Sequence, residues 1–347
     1  GDILRARGMA HDMRIVPTSP TASLRRRARQ VAERVASSLI HNHHDPIHLI
    51  GHSTGGLDAR LLASPSTSLG IEPELMRWRK QLRSIVSINT PHHGTPLAQF
   101  FTTVSGTRLL YALSLLTFTS LKLGGRPLTV FSSVVAAAER IDDVLGVKIE
   151  VLDRATNLVL RYIGEKSQSE VRHWLDGIRK DQGGIVQITP ESLDLFNATT
   201  ENADSVRYGC LVSASPPPAP VRLLGSIRSP YAALSATIYS TVYAIAARPH
   251  PHYPYPAPSV EALRKLTAGL EREVSQRSND GIVPTLSMLW GQLLWCGRGD
   301  HLDVVGHFAD DVRPSLHTDW LSCGSRFSRE RFHQSMLAIA DFLAADG

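Results

Sequence analysis

A chain of 347 residues with 42% hydrophobic residues can bury a large core, and one α/β domain carrying insertions is the expected organisation. The formal charge of +5 comes from scattered arginines, and no basic stretch is interleaved with aromatics, which argues against nucleic-acid binding. Cys210, Cys296 and Cys323 are odd in number and lack CxxC spacing, which argues against a disulfide framework and a zinc-thiolate site. The apolar runs around Cys210 and Cys296 predict buried thiols. No apolar run reaches transmembrane length, since the longest, around 109–123, is broken by Ser, Thr and Lys. A soluble protein is expected, its compartment left open.

Gly1 to Gly8 reads as the end of a helix with a glycine C-cap. The chain is therefore expected to begin within a fold, with any signal peptide lying upstream. Met13 to Val16 predicts a strand and Ser23 to Leu39 a helix, with Val31, Val35 and Leu39 as its buried stripe and Arg25, Arg26, Arg27 and Arg29 on a solvated face. His41, His43, His44 and Asp45 read as a solvated helix end.

Pro46 to Ile50 predicts a strand, and Thr54 to Leu62 a helix with Leu57, Leu61 and Leu62 at helical spacing. Between them Gly51-His52-Ser53-Thr54-Gly55 fits a nucleophile elbow, the sharp strand-to-helix turn that lifts a serine hydroxyl above a sheet. Leu82 to Ile88 is a third strand. Alternating strands and helices imply a mostly parallel sheet with helices on both faces, and ligands bind such sheets at the strands' carboxyl ends, where Ser53 falls.

After Asn89-Thr90-Pro91-His92-His93-Gly94-Thr95-Pro96 the βα alternation stops. His92 and His93 read as part of a structural turn, with a place at the site mouth as the alternative. Residues 99–187 show helical patterns only and form a candidate lid or cap insertion within a single domain spanning 1–347. Leu109, Leu110, Leu113, Leu116 and Leu121 suit a helix that covers a greasy site, and equally an ordinary buried helix. Tyr208 to Ser213 returns to the sheet, Pro249 to Pro258 is a loop, Leu289 to Cys296 is the last strand and Arg329 to Leu343 the closing helix.

A serine needs a base to remove its proton and a third group to orient that base. After this kind of elbow the acid and then the histidine follow in the chain. Asp280, in the polar turn Ser278-Asn279-Asp280-Gly281, is the best acid, although an Asn-Asp-Gly turn also serves as a purely structural device. His301 and His307 share the loop after the last strand, and residue chemistry alone does not separate them.

Four stretches taken in order, Gly51 to Arg60, Asn89 to Ala98, Ser278 to Pro284 and Asp300 to Asp303, together resemble the bacterial triacylglycerol lipases and esterases of the α/β-hydrolase superfamily. The resemblance implies an α/β-hydrolase fold and a triad of Ser53, Asp280 and His301, with His301 preferred because the family base lies in an Asp-His-Leu-(Asp/Glu) motif. The backbone N–H of Thr54 is the expected oxyanion donor. A second donor is expected from a His-Gly loop that, with an N-terminal strand, would precede Gly1. No cofactor is required for the chemistry. Asp303 falls where the family binds a structural calcium, although Phe308 stands where the next carboxylate ligand is expected; Asp310 or Asp311 are substitutes.

The implied activity is serine hydrolysis of carboxylic esters, with acyl glycerols or other lipid esters as substrates and transient contact with a lipid interface through the lid. A short-chain carboxylesterase and an acyltransferase are the near alternatives. A non-catalytic binding protein on the same fold is the distant one.

Overall fold

The computed structural model describes residues 1–38, 45–118, 157, 165–218, 230–310, 319–321 and 323–345. Four strands, β1 (Ile47–His52), β2 (Leu82–Ile88), β3 (Arg207–Ala214) and β4 (Gln292–Arg298), lie in that order in one sheet, and every neighbouring pair is parallel. The first helices are α1 (Asp2–Ala6), α2 (Leu24–Ser38) and α3 (Thr54–Ala63). Then follow α4 (Pro96–Phe101), α5 (Val104–Phe118), α6 (Glu165–Lys180), α7 (Gly183–Gln187), α8 (Pro190–Thr199), α9 (Pro230–Ala246), α10 (Val260–Leu270) and α11 (Arg329–Ala344).

The strands are apolar on both faces because helices cover both. On one face Ile85 of β2 packs with Leu57 and Leu62 of α3 and Ala28 and Ala32 of α2, while Cys210 and Val212 of β3 pack with Leu266 and Leu270 of α10. On the other, Val86, Ile88 and Leu211 meet Ile339, Phe342 and Leu343 of α11. Each such fully buried aliphatic or aromatic side chain stabilises the fold by roughly 1.5–3 kcal/mol in transfer free energy.

Helix ends follow local chemistry. Thr95, Thr189, Ser259 and Ser328 each cap a helix by accepting from a backbone N–H of its first turn, and after Thr95 and Thr189 a proline opens the helix, where its missing N–H costs nothing. At the end of α1, Gly8 takes φ +71°, and the Gly8 and Met9 N–H groups donate to Arg5 O and Leu4 O, as the glycine C-cap predicts.

Three local expectations fail. Met13 to Val16 forms no strand: Met13 and Ile15 are exposed, and Arg14 pairs with Asp12 at 2.7 Å, since four alternating residues gain nothing without a partner strand to bury them. In α2 the buried stripe is Leu24, Arg27, Ala28 and Ala32, with Val31 and Val35 half-covered. Arg27 turns inward to Asp58 of α3 at 2.9 Å instead of joining the solvated arginines. Finally β4 starts at Gln292, because Gly291 at φ +69° breaks the extended run.

Within 99–187, Leu109, Leu110 and Leu113 are buried in an apolar cluster shared with Leu97, Phe101 and the inner face of α9. Ile282 and Leu302 pack against the same cluster. The Leu116 side chain, Leu121, Leu39, His41, His43, His44 and Asp311 lie outside the described residues. Among the described residues no helix is long and apolar enough to cross a membrane.

Candidate active site

β1 delivers Ser53, and α3 begins at the next residue. Ser53 takes φ 54° and ψ −130°, a region that costs a non-glycine residue of order 1–3 kcal/mol and persists only when the surroundings enforce it. Its N–H donates to Ile88 O at the end of β2 (2.9 Å), which pins the turn to the sheet. A Cβ on Gly51 would lie 2.3 Å from the Gly55 carbonyl carbon and oxygen, and one on Gly56 would lie 2.2 Å from Thr90 Oγ1. At Gly55 nothing stands within 4 Å. The turn therefore requires Gly51 and Gly56, and the second glycine of the motif is sterically unconstrained. The Thr54 N–H heads the first turn of α3 and meets no acceptor among the described residues, so it points outward with the positive end of the helix dipole.

Asp280 is wholly buried in a turn between α10 and β4. Asn279 builds that turn: its Oδ1 accepts from Gly281 N (2.8 Å), and its carbonyl accepts from Ser215 N (2.9 Å) just past β3, which fixes the turn at the carboxyl end of the sheet. Gly281 at φ +97° allows the chain to reverse. Asp280 Oδ1 accepts from Ile282 N (2.9 Å) and Val283 N (2.7 Å), leaving Oδ2 to face the loop after β4.

There Asp280 Oδ2 meets His301 Nδ1 at 2.6 Å. The carboxylate only accepts, so Nδ1 carries the proton and Nε2 is left as the basic nitrogen. The main chains are joined as well, His301 N donating to Asp280 O at 3.1 Å. His307 lies farther along the same loop, and its N–H donates to Leu302 O. The Ser53 hydroxyl makes no hydrogen bond among the described residues, so the structure brings Asp280 and His301 together and presents Ser53 on the neighbouring elbow without closing the third contact.

The loop bearing His301 is braced from both sides. Asp300 Oδ1 accepts from Leu302 N and Asp303 N (both 2.9 Å), while Asp303 Oδ2 accepts from Asp300 N (2.8 Å) and Ser325 Oγ (2.7 Å). His52, the residue before Ser53, reaches across to the His301 carbonyl with Nε2 at 2.8 Å, and the two rings lie 4.8 Å apart. Burial, then the neighbouring His301, pushes the His52 pKa down to about 3, so its ring is neutral and Nε2 donates. Sequence reasoning missed His52 because the position between Gly and Ser carries no chemical requirement of its own in the motif.

A parallel sheet, a serine in a strained strand-to-helix turn, and an acid–histidine pair on later loops at the same end of the sheet have one architectural meaning. This is an α/β-hydrolase fold. No known family profile and no curated protein matches the chain. Solved structures similar to it include a metagenomic carboxyl esterase (18% identity, TM-score 0.45, covering 96% of this chain and 66% of that one). EstA from Clostridium botulinum is similar at 17% identity and TM-score 0.47, covering 98% of this chain and 80% of that one. Staphylococcus hyicus lipase is similar at 16% identity and TM-score 0.49, covering 99% and 87% respectively.

Other site-side candidates of this hydrolase fold resolve into packing. His92 is fully buried, its Nε2 2.9 Å from Ser87 Oγ and its Nδ1 3.2 Å from Arg60 Nη1, and it stacks on Trp290. It lines no mouth. Arg60 itself is buried with its guanidinium 3.3 Å from the Trp290 ring centroid, and burial lowers its pKa to about 9.

Asp303, the expected calcium position, has Asp300 and Cys323 beside it. Calcium takes roughly six to eight oxygen ligands. Phe308 is buried against the rings of Phe327 and Phe332, Asp310 is paired with Arg329 at 2.7 Å, and the group converging with Asp303 and Asp300 is the Cys323 sulfur.

Proposed function

We propose that the protein is a serine hydrolase that cleaves carboxylic esters through an acyl-enzyme. The observation that carries this reading is the 2.6 Å bond from buried Asp280 to His301, set at the same end of the sheet as the strained Ser53 turn. Ser53 is the nucleophile: its Oγ attacks the ester carbonyl while His301 Nε2 takes its proton, and Asp280 holds the imidazole in the required tautomer and stabilises its charged form. The oxyanion is met by the Thr54 N–H at the head of α3. His301 then protonates the departing alcohol, and water, deprotonated by the same nitrogen, releases the acid. The open Ser53 hydroxyl accords with a base–nucleophile contact that tightens only around substrate.

The substrate is proposed to be an apolar ester, because the cluster joining α4, α5 and α9 reaches the loops of both Asp280 and His301 through Ile282 and Leu302. Residues 99–187 would then act as the lid over an acyl chain and as the contact with a lipid interface. Ser53→Ala is expected to abolish p-nitrophenyl ester hydrolysis and labelling by a fluorophosphonate. Retained hydrolysis in that variant overturns the assignment, and a wild-type chain that stays unlabelled identifies a non-catalytic binding protein. A substrate series from butyrate to palmitate tests the apolar lid: collapse of activity beyond short chains removes it.

A further inference from the structure

Arg60 of α3 is 1% exposed, and the acceptors it finds are neutral: its Nη1 donates to Asn197 Oδ1 (3.0 Å) and to His92 Nδ1 (3.2 Å). Its Nε and Nη2, both out of solvent, have no hydrogen-bond partner among the described residues. These two atoms share one edge of the guanidinium, the fork on which arginine takes an anion bidentately. The group sits over the Trp290 ring, 3.3 Å from its centroid, and the Phe196 centroid lies 5.2 Å away, so aromatic surface holds a cation that no Asp or Glu among the described residues pairs with. Burial lowers its pKa to about 9, which leaves it charged at neutral pH. A buried charge with no counter-charge and two unmatched donors is costly unless an anion meets it.

We infer that the Nε–Nη2 edge of Arg60 binds one small monovalent anion, a halide or a short carboxylate, where α3 meets α8 and the approach to β4. A single negative charge balances the single guanidinium charge, and the two parallel N–H groups fit either the paired oxygens of a carboxylate or one halide between them. His92 does not supply that charge: its Nδ1 accepts from Arg60, so the ring is neutral with its proton on Nε2, facing Ser87 Oγ at 2.9 Å. The closed surroundings favour an ion of few atoms, since both donor atoms are shut off from solvent. An arginine among Leu57, Leu61 and Leu62 gives no sign of such a site in the sequence, because Asn197 and Trp290 meet it only in three dimensions. The role is structural: the anion neutralises the junction of α8 with the helix that carries Ser53 at its head.

The test is a thermal melt of the full chain while chloride, and separately acetate, replaces the bulky anion gluconate at constant ionic strength. It needs no ester substrate, so its failure is distinct from failure of the hydrolase reading. The expected result is a Tm that rises and saturates with at least one of the two small anions, and the one that saturates identifies the ligand class. Asn197→Asp sets a carboxylate against the same guanidinium at nearly unchanged side-chain size, and is expected to raise the half-saturating concentration at least tenfold. Arg60→Met should abolish the dependence. A wild-type Tm that rises with neither anion overturns the site without any variant having to fold. A dependence that survives unchanged in folded Asn197→Asp or Arg60→Met overturns it equally.

Discussion

His52 Nε2 donates to the His301 carbonyl at 2.8 Å, so the residue before Ser53 holds the main chain of His301. The contact joins the two halves of the site across 249 residues of sequence. Under the proposed mechanism His52 is a positioning residue. Replacing it with Ala deletes one neutral hydrogen bond, about 1 kcal/mol, and is expected to lower kcat about fivefold with KM unchanged. Gln in its place, which still donates, should recover most of the loss. An equal drop in Ala and Gln variants would show that the ring's packing, not its N–H, is what matters.

Asp280→Asn separates orientation from folding. The Asn oxygen can still accept from Ile282 N and Val283 N, which keeps the turn, while its amide cannot accept the His301 Nδ1 proton. Ester hydrolysis is expected to fall by about four orders of magnitude in kcat, the cost of the wrong histidine tautomer in comparable triads. The melting temperature should move by a few degrees at most. Activity within tenfold of wild type would remove Asp280 from the mechanism.

The elbow glycines give opposite results under the same substitution. Gly51→Ala would drive a Cβ to 2.3 Å from the backbone of Gly55, where no flexible atom can yield, and is expected to unfold the turn or lower stability by several kcal/mol. Gly55→Ala meets nothing within 4 Å and sits in a helix, where alanine is favoured by up to about 1 kcal/mol. Thermal melts of both variants check the contrast. Equal losses would show that the Gly55 position is constrained by something other than sterics.

These particulars mark what the sequence exposes. The β1–Ser53–α3 turn and the Asn279-Asp280-Gly281 reversal are local, so glycines and polar turn residues announce them within a few positions. Arg27 was hidden, because one arginine of four in a basic run looks solvated until Asp58, 31 residues on, is placed against it. Neither does spacing reveal that Cys323 meets Asp300. Met13 to Val16 errs in the other direction: its alternation is a strand pattern, but a strand exists only by pairing.

Burial of the Arg27–Asp58 pair predicts an asymmetric response. Both side chains are almost fully buried, and desolvation outweighs the nearby guanidinium so that the Asp58 pKa rises to about 6. The pair itself therefore contributes little net stability. Asp58→Ala nonetheless strands the Arg27 charge between α2 and α3 and is expected to cost about 3–5 kcal/mol. Denaturant unfolding of Asp58→Ala and of the double variant Arg27→Met/Asp58→Leu tests this. The double variant should regain most of the loss, and a double variant as unstable as the single would contradict it.

His92 gives a pH dependence with a defined sign. Burial, with Arg60 and His93 beside it, holds its pKa well below the ordinary 6.5, so the folded ring stays neutral where the unfolded one takes up a proton. A depressed pKa contributes stability in full above pH 6.5 and loses it as pH falls toward the folded value. His92→Gln removes that titration and leaves the others untouched. The stability difference between wild type and His92→Gln should therefore shrink as pH falls from 7 to 4.5. Denaturant melts at the two pH values measure it. A difference that stays constant would mean that His92 is charged in the folded protein, contrary to its burial against Arg60.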